Sequence, residues 1–146
     1  ADGRGRGIGL YAPSPSERFL ALRALADAGI EARVALMPVL PFLEDSSDNV
    51  RAIVERAKEC GVRAIAASFG VTLRDRQRAY FYARLDESFP GTRARYEARY
   101  GDRYVCSPPD GDALRVHLEA LCAKHGIRTS VRPLLAPSAD EPGLFA

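Results

Sequence analysis

The sequence predicts an α/β fold made of parallel β/α units, and it predicts that the sheet is incomplete. Three observations lead there. Segments with apolar residues every three to four positions alternate with short apolar runs. Each helical segment closes on a glycine shortly before the next run. Only two such runs are well defined, at Arg33 to Met37 and Val62 to Ser68, with a third open at Ile127 to Val131. Two parallel strands do not close a core, so the chain reads as part of a larger sheet.

The elements follow in order. Residues 1–10 form an irregular Gly/Arg-rich start. Ser14-Pro15-Ser16-Glu17 is a helix start, with a Ser cap, Pro at the first helical position and Glu three residues after the cap. Phe19, Leu22, Leu25 and Ala26 make its apolar stripe, ending near Ala28 before Gly29. Arg33 to Pro41 is too short and too proline-rich for a helix. It predicts a buried parallel strand that ends around Met37 and enters a rigid loop. Ser46, Ser47 and Asp48 offer caps for a second helix with Val50, Ile53, Val54 and Ala57 inward, closed by Gly61 before the second strand. Residues 11–73 thus hold the β/α portion.

Residues 74–131 form a helical extension. Phe81, Leu85 and Phe89 recur every four residues with Tyr82 beside them, and Pro90-Gly91 stops that helix. A shorter helix carries Tyr96 and Tyr100 and breaks at Gly101. Ser107-Pro108-Pro109-Asp110 turns into a last helix with Leu114, Leu118, Leu121 and Cys122 inward, closed by Gly126. A proline-bearing tail occupies residues 132–146, and no internal repeat is evident.

Composition narrows the classes. With 146 residues and 15.9 kDa there is room for one domain. A chain with 47% hydrophobic and 27% charged residues is an ordinary globular one. No apolar run approaches the roughly 20 residues of a membrane span, so no membrane partner is expected. A net charge of +2 is too small to be the footprint of a nucleic-acid binder, leaving only a local patch for that role. The start lacks an initiator Met, as in a trimmed or partial chain, and lacks the apolar stretch of a secretory signal. Cys60, Cys106 and Cys122 are odd in number and widely spaced, which fits neither a disulfide framework nor a metal site and points to a reducing cytoplasm.

Several segments resemble the spore photoproduct lyase-like (DNA repair photolyase) branch of radical S-adenosylmethionine (SAM) proteins. They are Ala12-Pro13-Ser14 with Glu17-Arg18 and Ala28-Gly29-Ile30, then Met37-Pro38-Val39-Leu40-Pro41 with Asp45. Phe69-Gly70-Val71-Thr72-Leu73-Arg74, Tyr80-Phe81-Tyr82, Phe89-Pro90-Gly91, Tyr96, Tyr100-Gly101, Tyr104 and Cys106 are similar to the carboxy-terminal region of one subgroup, as is the ending Gly143-Leu144-Phe145. The likeness spans roughly residues 11 to 131.

The resemblance implies the C-terminal portion of a radical SAM (β/α)6 partial barrel plus a C-terminal helical extension. In the complete protein a 4Fe-4S cluster reductively cleaves S-adenosylmethionine to a 5′-deoxyadenosyl radical. The Cys-x3-Cys-x2-Cys loop that binds the cluster is absent here, and the spacing of Cys60, Cys106 and Cys122 does not replace it. The expected partner is therefore a missing N-terminal half. Residues Pro38 to Asp45 match the family's Gly-x-Ile-x-Gly-x-x-Glu element, with Pro38 and Phe42 where glycines are usual. By this likeness Pro38, Leu40, Pro41 and Asp45 line SAM, Leu40 packing on adenine, and Ser68 and Phe69 line it through backbone groups.

Other candidates stay open. Cys106 reads either as a radical relay or as a small buried hydrophobe. Arg74, Arg76 and Arg78 with Tyr80 and Tyr82 read either as a nucleic-acid patch or as a solvated helix face, since Asp75, Asp86 and Glu87 interrupt them. His117 and His125 lie too far apart on one helix to share a metal. Two functions follow: the carboxy-terminal part of a radical SAM enzyme, with nucleic acid as a candidate substrate, or a non-catalytic α/β interaction or nucleic-acid-binding module. Alone, the chain is expected to bind neither cluster nor SAM tightly and to self-associate through an open strand edge.

Overall fold

The computed structural model describes residues 13–129. Helix α1 (Pro15–Asp27) leads to strand β1 (Arg33–Val39), α2 (Ser47–Glu59) to β2 (Ala64–Phe69), and a short strand β3 (Val71–Thr72) follows at once. Then come α3 (Asp75–Ser88), α4 (Thr92–Tyr100), β4 (Val105–Cys106) and α5 (Gly111–Lys124). The architecture is mixed α/β, and the described residues form no closed barrel. The expected tail and the Gly/Arg-rich start lie outside the described residues.

The helix starts form for the expected reasons. At α1 the Ser14 hydroxyl accepts from Glu17 N–H at 3.3 Å, while Glu17 Oε2 accepts from Ser14 N–H at 2.7 Å, a reciprocal capping box. At α2 the Ser46 hydroxyl accepts from Asn49 N–H at 3.2 Å.

β1 and β2 pair in parallel, with Arg33 opposite Ala64, Val34 opposite Ile65 and Leu36 opposite Ala67. A third parallel contact joins Ala64 to Arg128, where Ile65 N–H donates to Arg128 C=O at 2.8 Å. The chain therefore crosses the sheet in one direction, from β1 to β2 to the segment 127–129.

One face of this sheet is covered. Val50, Val54 and Ala57 of α2, Ile65 of β2, and Leu114, Leu118 and Cys122 of α5 form one cluster, with Phe19 and Leu22 of α1 and Val34 and Leu36 of β1 half-buried against it. Each fully buried Val or Ile side chain there contributes about 1.5–3 kcal/mol. The opposite face presents Ala35, Met37 and Ser68 to solvent. The expectation of a buried β1 is thus corrected: α1, α2 and α5 all lie on the same side, so only one face of β1 is covered. β1 also runs past its expected end at Met37 to Val39. Pro38 is accommodated because the register shifts between Leu36 and Val39, and Val39 pairs again with Phe69.

The three helices on this sheet end alike. Gly29, Gly61 and Gly126 follow them, and Ile30, Val62 and Ile127 N–H donate back to the carbonyls of Leu25, Ala57 and Cys122 at 2.9, 3.0 and 2.8 Å. These are Schellman closures, each pairing an apolar residue after the glycine with one in the last turn. No repeat is evident in the sequence, yet the helix-to-strand joint is built three times. The three glycines line a single depression at the amino ends of the strands.

Candidate functional site

At the carboxy ends of the strands the chain leaves the sheet and builds a second core. Leu40 and Leu73 join Phe81, Tyr82 and Leu85 of α3, Tyr96 and Tyr100 of α4, and Cys106 of β4. The ribbon of β3 and β4 carries this helical cap, with Val71 opposite Cys106 and Thr72 opposite Val105. Gly70 makes the junction. Its φ of +116° is open to glycine, and a Cβ there would lie 2.6 Å from Cys106 O. Short strands without alternation leave no sequence signal, and the ribbon is an element the sequence reading misses.

The loop after β1 is tied down from several directions. Leu40 N–H donates to Glu44 Oε2 at 3.2 Å, Asn49 Nδ2 donates to Glu44 O at 2.9 Å, and Tyr96 OH donates to Pro41 O at 3.0 Å. Phe42 takes a left-handed φ of +64°. Its ring meets Tyr96 edge-on at 5.4 Å and lies 6.0 Å from Tyr100. Burial pushes the Glu44 carboxyl above its ordinary value, only partly offset by the Leu40 N–H and by Arg18. Burial likewise raises the Tyr96 phenol strongly.

The residues singled out from sequence fall as follows. Pro38 and Ser68 are exposed, Asp45 and Phe69 are half-buried, and Pro41 is fully buried. Leu40 is 9% exposed, with its side chain in the cap core. A groove of about 300 Å³ runs along the end of β2, lined by Ser68, Phe69, Arg115, Glu119 and Thr129. The structure brings the Pro38-to-Asp45 loop and the end of β2 to one edge: Gly70 N–H donates to Val39 O at 2.9 Å.

Cys106 is fully buried, its thiol donates toward Arg103 O at 3.8 Å, and burial raises its pKa. That is the setting of a packed, protonated thiol. The three cysteines do not fit an iron-sulfur cluster, because Cys60 and Cys122 belong to the sheet core and Cys106 to the cap. Among the described residues no three His, Cys, Asp or Glu side chains gather to hold a metal, and no helix is long and apolar enough to cross a membrane.

Relatives of this chain are longer than it is. Over 132 residues it is 29% identical to an uncharacterized protein of Mycobacterium bovis and to uncharacterized proteins of two Mycobacterium tuberculosis strains. The match covers 90% of this chain and 38% of each relative, so the chain spans well under half the length of the curated relatives it matches. No family model matches the chain, and no solved structure matches it.

Arg74, Arg76 and Tyr80 are exposed, as a solvated helix face requires, whereas Arg78 and Tyr82 depart from it. Arg78 donates to the carbonyls of Gly101 and Arg103 at 2.7 Å each, tying α3 to the turn after α4. Tyr82 is buried, and Arg74 donates to Tyr104 OH at 3.0 Å. Two further cations of α4 lie over aromatic rings. Arg95 lies 4.2 Å over the Phe42 ring and Arg99 5.9 Å over Tyr100, and neither makes an ion pair among the described residues. Sequence alone gives no sign of this, because it depends on the loop after β1 meeting α4.

Proposed function

We propose that this chain supplies the closing β/α units and the helical cap of a radical SAM protein of the spore photoproduct lyase-like type. The observation that supports it most directly is Phe42. A left-handed residue stands at the position where the family's loop has glycine, and Leu40 to Glu44 is stitched around it. Helices on one face of a sheet that advances strand by strand are also what a sector of a (β/α) barrel requires; a doubly wound sheet would carry helices on both faces.

On this reading the adenosine end of SAM meets the edge formed by Pro38 to Asp45 and by Ser68 and Phe69. When bound there, SAM would supply reductive radical chemistry. Leu40, whose side chain is committed to the cap, acts by fixing the loop. Ser68 is exposed at the strand end and is free to face a ligand. The cluster would be held by residues outside these 146. The test is SAM affinity in the protein reconstituted with a cluster-bearing amino-terminal half. Ser68→Lys should weaken binding at least tenfold, while Val116→Lys, exposed on α5, should not. Equal affinities would remove the site assignment.

A second reading, a non-catalytic nucleic-acid-binding module, is favoured by one observation: Arg95 and Arg99 lie over rings without an ion pair among the described residues, cationic platforms suited to phosphates and bases. Binding to single-stranded DNA that weakens steeply with salt and is lost in Arg95→Glu supports it. Absence of binding at low salt removes it.

A further inference from the structure

The three repeated helix-to-strand joints differ in one respect. In the second, Ala57 and Val62 are 0% and 3% exposed, and in the third, Cys122 and Ile127 are 0% and 5% exposed. In the first, the equivalent Leu25 and Ile30 are 40% and 54% exposed. The backbone bonds are the same in all three, so the difference lies in what covers the pair. Among the described residues no unit follows the third joint, yet its pair is buried. The cover therefore comes from the unit before: α1 lies against the second joint, where a Cβ on Gly61 would touch Ala26 at 3.0 Å, and α2 packs on the α5 of the third. The first joint has no unit before it among the described residues.

Two further features agree. No residue of the 13-residue α1 is buried, although Ser14 and Glu17 cap it well. Among the described residues β1 pairs only with β2. Ala32 C=O accepts from Arg63 on the β2 side, so by alternation the backbone N–H and C=O groups of Arg33 and Ala35 point to the open edge.

We propose that the Leu25–Ile30 pair and the free edge of β1 are the docking surface for one preceding β/α unit. Its strand adds to β1 in parallel, and its helix covers Leu25 and Ile30. For a parallel connection through α1, handedness selects this edge. With α1 on the same face as α2 and α5, a right-handed crossover through α1 places the earlier strand beside β1 on the side away from β2. The relatives, of which this chain matches 38%, have the length to contain such a unit. The inference shares with the proposed function the expectation of further β/α units, but it involves no SAM and stands or falls separately.

The test is hydrogen exchange of the full 146-residue chain, alone and mixed with the remainder of the Mycobacterium tuberculosis relative expressed as a separate folded chain. Peptides over residues 25–37 should exchange at least tenfold more slowly in the mixture. Leu25→Lys with Ile30→Lys should abolish the slowing, and the pair Val105→Lys with Val116→Lys, exposed elsewhere, should leave it intact. Circular dichroism of both pairs reports folding, and the exposure of all four sites makes retained helix content the expected result. No slowing at saturating remainder would overturn the proposal. Slowing of residues 25–37 in the chain alone as its concentration rises would also overturn it, by making a second copy the occupant.

Discussion

Removing one oxygen from Tyr96 tests how the cap is fastened to the sheet. Tyr96 is fully buried, and its hydroxyl donates to the carbonyl of Pro41, which is itself buried. In Tyr96→Phe the ring stays, with its contacts to Phe42, Phe81 and Tyr100 at 5.3–5.4 Å between centroids. The Pro41 carbonyl then loses this donor in a place water does not reach. An unsatisfied buried acceptor costs about 1–3 kcal/mol, so Tyr96→Phe should be destabilised by that amount in urea unfolding followed by circular dichroism, with an unchanged denaturant slope. Tyr96→Ala also removes the ring and should lose about 3–5 kcal/mol. Tyr80→Phe, on the same cap but 58% exposed, should stay within about 0.5 kcal/mol of the parent. If Tyr96→Phe also stayed within about 0.5 kcal/mol, the bond to Pro41 would not be what holds the loop.

Other consequences follow from the same contacts. Gly70→Ala places a Cβ against the backbone of Cys106 and Ser107 and should cost more than about 2 kcal/mol, whereas Gly91→Ala, with open space around it, should cost about 1 kcal/mol; thermal melts compare them. Ser14→Ala should lose about 0.5–2 kcal/mol through the α1 cap, and Ser14→Asp should recover most of it. Because burial raises Tyr96 in the folded state, the unfolded chain releases that proton first, and stability should fall as pH rises above about 10. Glu44 is also raised, so its contribution favours folding below the ordinary carboxylate range and is lost as pH climbs through and above it. Glu44→Gln, which keeps an acceptor for Leu40 N–H, should flatten that part of a pH–stability curve, and an unchanged slope would show that Glu44 is solvated.

Local chemistry is legible in the sequence where one short stretch decides the outcome. Ser14-Pro15-Ser16-Glu17 specifies a helix start on its own, and Gly29, Gly61 and Gly126 mark three helix ends because each closure uses only neighbouring residues. What the sequence does not reveal depends on distant partners. β3 and β4 are two residues each and exist because Val71 and Thr72 meet Cys106 and Val105 across more than thirty residues. β1 continues past Pro38 because its register with β2 can shift. Arg78 reads as part of a surface patch until the turn after α4 offers it two carbonyls. The loop residues Pro38 to Asp45 stand out by the family resemblance, but the inward direction of Leu40 and the stacking of Arg95 on Phe42 appear only once α3 and α4 fold over the loop.

The most direct measurement joins this chain to an amino-terminal half carrying a Cys-x3-Cys-x2-Cys loop. The cluster is assembled without oxygen and reduced in the presence of SAM, and 5′-deoxyadenosine is quantified by chromatography. If these residues complete a radical SAM barrel, 5′-deoxyadenosine accumulates with this chain present and falls to background with the amino-terminal half alone. Intact SAM in a sample whose cluster is present and reduced, and whose two halves are shown to associate, would contradict it.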